Sequence, residues 1–344
     1  MDGLSFLGDI GAFRGNAAGN VGLANRARGV KANPEAIPSG MHKAGEFFWI
    51  ERDRLSSTPA SGQWTPLEAS AFDALSPANQ QTVRNLLWFT QGDAAATKAI
   101  GSLLTQGKLS VKDRSGVLLL DRWGELTTAP LDSGIERGKF LKELIPQLND
   151  PMLVTQGNRS TCAAAVVQYL AIKAEPADYV VMVAGLVSPN GQAKLPDGEK
   201  LKRDGATALD GSGRSSVDQV VQNSLMEYAT GGFDSTTGRN EDSTLGLTAT
   251  RFDKLVEGVM NAPYQTILIG TDKDLTQAQA IAKMKESTAR GETVPVGLDW
   301  KSGGHKILVQ SFNQGLVYYY NPWGRIESMT EREFSSRIHN ASFR

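Results

Sequence analysis

The chain has 344 residues, 40% of them hydrophobic and 21% charged, with 36 Lys and Arg set against 37 Asp and Glu. That length and apolar content are enough for one large or two ordinary domains, each with a real core. The near-neutral balance has no long single-sign run and no basic stripe between aromatics, so no nucleic-acid partner is expected. No apolar stretch reaches the roughly 18 residues of a membrane span. The start, Met1-Asp2-Gly3-Leu4-Ser5-Phe6, lacks a basic region followed by an apolar run. No Sec-type signal peptide is visible, and cytoplasmic synthesis is expected, with leaderless export as the alternative. The single cysteine, Cys162, excludes an intramolecular disulfide and a Cys-based metal site. With three histidines, His42, His305 and His339, few side chains are left for nucleophilic or acid–base chemistry, and no cofactor or metal is expected.

Residues 1–45 are rich in Gly, Ala and Asn, as in Gly15-Asn16-Ala17-Ala18-Gly19-Asn20, and read as a flexible leader. The segment 46–149 reads as a helical accessory module or pro-region. Its signals are a capping box with proline in Thr65-Pro66-Leu67-Glu68, a second cap at Ser76-Pro77, and helical patterns over 93–104 and 135–148. Asp150-Pro151 marks a boundary. After the loop 155–161, the run from Cys162 to Ala174 has no Gly or Pro and is apolar nearly all round, which predicts a buried helix starting at Cys162.

Helices are expected over 215–229 and 250–261, with Gly/Asp/Ser-rich loops over 186–214 and 230–247. The pattern then changes period. Strands are predicted at 265–269, 293–299, 305–312 and 316–320, the last two joined by the turn Asn313-Gln314-Gly315. A capping box at Thr276-Gln277-Ala278-Gln279 opens a helix, and Thr330 caps a short closing one. Helices first and a run of antiparallel strands afterwards define an α+β fold.

A thiol is a good nucleophile as a thiolate, which a helix N-terminus and a neighbouring imidazolium both stabilise. Cys162 stands where loop meets helix; alone, it reads as a small apolar core residue. His305 follows Gly303-Gly304 at the start of a strand, and Asn321 ends the next one, in Asn321-Pro322-Trp323-Gly324. An Asn amide there can accept from an imidazole N–H and fix its tautomer. Asp299 is a second candidate partner for His305. His42 and His339 read as surface residues, and Tyr318-Tyr319-Tyr320 as sheet packing.

Gln156, five residues, Cys162, then Gly304-His305 and Asn321-Pro322-Trp323-Gly324 together resemble the pattern of the papain-like cysteine peptidases, with the last segment worded most like the calpain branch. The likeness covers about 150–340, through short motifs, and implies a catalytic domain over 150–344. It implies a papain-like catalytic domain whose helices pack on a C-terminal antiparallel sheet, preceded by an extra helical region. It also implies Cys162 as nucleophile, His305 as base and then acid, and Asn321 as orienting group. Gln156 and the Cys162 backbone N–H would form the oxyanion hole, and Trp323 would cover the His–Asn pair. Ala163 stands where the family usually has an aromatic residue, and Arg159-Ser160-Thr161 replaces a Gly-rich approach.

The implied partner is a protein or peptide substrate. A bacterial effector or toxin, served by a secretion machinery and met by a cognate inhibitor, fits the leader and the absence of a signal. The alternatives are an amide hydrolase or transferase on the same fold (deamidase, transglutaminase-like enzyme or cell-wall amidase) and a non-catalytic binding module.

Overall fold

The structure is a computed structural model, and it describes residues 41–44, 47–50, 57–59, 62–203, 210–300 and 303–344. The leader expected over 1–45 lies outside the described residues except at its end, where β1 (Met41–Ala44) pairs antiparallel with β2 (Phe47–Ile50).

The helical half begins with α1 (Pro66–Asp73), whose capping box is formed by Thr65 and Glu68. It continues with α2 (Pro77–Thr90), capped by Ser76, and α3 (Ala94–Thr105), capped by Asp93. α4 (Leu119–Thr128) has no side-chain cap and carries Gly124 inside, so the sequence gives no start signal for it. α5 (Arg137–Asn149) completes this layer. α6 (Cys162–Ala174) begins at the cysteine as expected. α7 (Pro176–Val187) follows after a single residue; Glu175 makes no cap bond, and the helix is apolar on most sides, which hides its period.

The two segments expected as loops each hold a short hairpin. β3 (Gln192–Lys194) pairs with β4 (Lys200–Lys202), and β5 (Phe233–Asp234) with β6 (Arg239–Asn240). Between them lies α8 (Ser216–Thr230), capped by Ser215, and after them α9 (Ala249–Met260), capped by Thr248. The remaining elements are β7 (Gln265–Leu268), α10 (Gln277–Ala289), β8 (Val294–Trp300), β9 (Gly303–Asn313), β10 (Leu316–Asn321), β11 (Arg325–Thr330), α11 (Glu331–Arg337) and β12 (Ile338–Phe343).

Six strands form one antiparallel sheet in the order β11-β10-β9-β8-β12-β7. The molecule is thus of mixed α+β class. Side chains alternate across β9. Leu308 joins the large apolar cluster that runs from Phe72 through Leu103, Trp123, Leu144, Val166 and Val183 to Val259. Ile307 and Val309 point to the opposite face and pack with Ala280, Met284 and Phe334 of α10 and α11. Tyr169 of α6 stacks on Tyr320 of β10, with ring centroids 4.4 Å apart, and accepts from Gln310 of β9. These contacts seat the cysteine helix against the middle of the sheet.

Candidate active site

Local rules bring three separate segments to one place. The loop before α6 turns at Gly157, where φ is +55° and a Cβ would stand 2.2 Å from the Ser212 carbonyl oxygen. Its upstream end is tied to the end of β10 twice: Tyr320 Oη donates to Val154 O at 2.8 Å, and Gln156 N donates to Pro322 O at 2.7 Å. The β10–β11 hairpin closes through Gly324 (φ +75°), whose N–H donates to Asn321 O. Asn321, paired with Arg325, is the last residue of β10 and is fully buried.

Cys162 and His305 are both buried, at 8% and 6% exposure. The Lys306 backbone N–H donates to Cys162 Sγ at 3.4 Å. The Thr161 hydroxyl does not cap α6; it donates instead to Gln222 Oε1 at 2.7 Å. The orphan N–H groups of the first turn are therefore not taken by a side-chain cap, and the Ala163 N–H serves the thiol. Burial pushes the Cys162 thiol up. The hydrogen bond and charge of His305, with the N–H groups of Lys306 and Ala163, outweigh that and hold it below the ordinary range.

His305 Nε2 donates to Asn321 Oδ1 at 2.9 Å, which leaves Nδ1 for Cys162. Burial works against a charged imidazole. The hydrogen bond and charge of Cys162, the bond to Asn321 and the charge of Glu327 prevail, and the His305 pKa is raised. Trp323 stacks on the imidazole with centroids 4.7 Å apart and an 18° interplanar angle, and Trp300 closes another side at 5.2 Å. The two indoles limit water at the ring.

The structure therefore gathers Cys162, His305 and Asn321, with Trp323 as cover. Gln156 reaches the same region through its backbone, but its side chain is committed differently: Nε2 donates to Arg159 O at 2.7 Å, and the buried Oε1 has no partner. Asp299 is not the imidazole's partner. It is exposed in β8, opposite Gly304, and its charge acts on His339. His339, expected at the surface, is half-buried in β12, with Nδ1 accepting from Asn340. The side chain of His42 lies outside the described residues. Among the described residues no three His, Cys, Asp or Glu side chains converge as a metal-ligand set, and no helix is long and apolar enough to cross a membrane.

Sequence reasoning missed two groups that support the site. Glu327 accepts from Asn321 Nδ2 at 2.8 Å and from Tyr319 Oη at 3.1 Å. Its signal was an acid six residues past Asn321, which a tight hairpin folds back beside the triad. The second is a buried network on α8. Asp218 accepts from Gln147 and Gln168, each at 3.0 Å, and from Thr155 N at 3.3 Å. Gln222, one turn on, donates to Thr155 O and Gln168 Oε1, both at 3.0 Å. Together they grip Thr155 and Thr161, the residues just before Gln156 and Cys162. Nothing in the polar residues of a helix at these spacings announces such a hub.

No protein-family model matches this chain, and no curated protein matches it.

Proposed function

We propose that the chain is a cysteine peptidase of papain-like architecture. Cys162 Sγ, as thiolate, attacks a substrate carbonyl; His305 Nδ1 then delivers its proton to the leaving amine, giving a thioester. Water, deprotonated by His305, attacks that thioester and expels the Cys162 thiolate, leaving a carboxylic acid and the protonated imidazole with which the cycle began. Asn321 keeps the proton of His305 on Nε2 throughout. The oxyanion is met by the Cys162 backbone N–H and by the second N–H of Gln156 Nε2, since the amide has two and Arg159 O takes one.

The observation that carries this reading is the geometry of His305: Nε2 on Asn321 Oδ1 at 2.9 Å, the other nitrogen turned to a thiol at a helix N-terminus, and Trp323 stacked on the ring. A binding module has no need of that arrangement. A second reading, transfer of the acyl group to an amine, is favoured by the low exposure of Cys162 and His305, which limits competing water.

The test is turnover of a diverse peptide library, with and without an added primary amine, by the native chain and by Cys162→Ala. Peptidase activity predicts new carboxylate termini that fall by roughly a thousandfold or more in Cys162→Ala. Amine adducts in place of acids would move the assignment to transferase, and cleavage retained by Cys162→Ala would remove Cys162 from the chemistry.

A further inference from the structure

We infer that Glu327 is the fourth member of this site: a positioning carboxylate that fixes the orientation of the Asn321 amide and stabilises the imidazolium of His305 through it. The inference rests on the peptidase reading above. An Asn amide is nearly symmetric in shape, and flipped it would present Nδ2 to the Nε2–H of His305, donor against donor. Asn321 is fully buried, so its two ends must be told apart by protein groups. Glu327 Oε2 does this at 2.8 Å from Nδ2.

An ionised carboxylate only accepts, so Nδ2 must face Glu327 and Oδ1 must face His305. The proton is then on Nε2, and Nδ1 is the base directed at Cys162. Glu327 is suited to the task. Burial works against its charge, but Asn321, Arg325 and Tyr319 hold its carboxyl below the usual range. Its place is set by the sheet, through the Tyr319–Glu327 pair of the β10–β11 ladder.

The charges around the imidazole come from few elements. They are Cys162 of α6, Glu327 and Arg325 of β11, Arg337 of α11 over Trp300, and the neighbouring Lys306, whose amine burial lowers to about 7. Glu327 adds negative charge behind the ring, and Arg325, paired with it and 62% exposed, partly offsets this. A carboxylate serving only as an edge ion pair with Arg325 would leave His305 indifferent to it.

The experiment is proton NMR titration of the three histidines, with His305 assigned by substitution, in the native chain, Glu327→Gln and Arg325→Met. Glu327→Gln keeps shape and an amide acceptor while removing charge, and should move the His305 midpoint to lower pH. Arg325→Met removes the competing cation and should move it the other way, a pair of opposite shifts that loss of packing alone does not produce. A native His305 that titrates as an ordinary imidazole would overturn the peptidase reading itself. A native midpoint that is raised, yet unmoved in Glu327→Gln or shifted the same way in both variants, would overturn the role of Glu327 alone.

Discussion

At the scale of single residues, the site depends on two opposed shifts. Cys162 loses its proton more easily than a free thiol, and His305 holds its proton more tightly than a free imidazole. The charged pair therefore exists from the lowered thiol pKa up to the raised imidazole pKa, and activity is expected to plateau across that window and fall on both sides. The stability signs agree. The imidazolium contribution is complete below the unfolded value near 6.5 and disappears as pH rises through the folded value. The thiolate contribution is present above the unfolded value near 8.5 and disappears as pH falls through the folded one. If His305 is the base and Asn321 its orienting group, as proposed, His305→Ala should lower kcat/KM by roughly 10²–10⁴-fold and Asn321→Ala by less. Steady-state kinetics that reverse this ranking would contradict the assigned roles.

At the scale of elements, the loop 155–161 is held in place by one face of α8. Asp218 and Gln222 sit one turn apart and reach both ends of the loop, so α8 sets the register between Gln156 and the start of α6. Burial dominates Asp218 and pushes its carboxyl up to about 7 despite its hydrogen bonds. An unfolded Asp ionises near 3.9. Between about pH 4 and 7 the folded chain thus holds a proton that the unfolded chain has released, and stability contributed here falls as pH rises. Asp218→Asn should flatten that slope in denaturant melts taken across the window; an unchanged slope would show that Asp218 is ionised in the fold.

The parts of the structure visible from sequence were those with local punctuation. Thr65, Ser76 and Thr276 each cap the helix they announce, the helices expected over 93–104, 215–229 and 250–261 are present, and the two-residue period of 305–312 gave β9. α4 and α7 lacked a cap bond and were missed, as were β11 and β12, which lie on either side of the capped α11. Cys162, His305 and Asn321 were singled out because their order and spacing resemble the papain-like pattern, and their places at helix and strand ends added to that. Glu327 and the Asp218 hub were not, because their partners lie across a hairpin turn or many residues away, and single-chain periodicity carries no long-range pairing.

At the scale of the whole molecule, the helices within 62–149 are not peripheral to the core. Leu103, Trp123 and Leu144 belong to the same apolar cluster as Val166, Val183 and Leu308. α4 packs on α7, and α5 on α6 and α8, so the helical layer supports the elements that hold Cys162. Leu144→Ala, in α5, should cost about 2–5 kcal/mol and lower the melting of the sheet and of the helices together. Thermal melts followed by near-UV and far-UV circular dichroism check this; two separate transitions, only one of them shifted, would mean that 62–149 folds as an independent unit.

The proposed chemistry requires Cys162 and His305 to form a thiolate–imidazolium pair. The most direct measurement is the rate of Cys162 alkylation by iodoacetamide from about pH 4 to about pH 9, in the native chain and in His305→Ala; the single cysteine makes the label unambiguous. A thiolate–imidazolium pair gives labelling that persists well below the ordinary thiol value of about 8.5 and is lost without His305. Labelling that follows an ordinary thiol in both proteins, or that waits for unfolding, would make Cys162 a core residue and contradict the account.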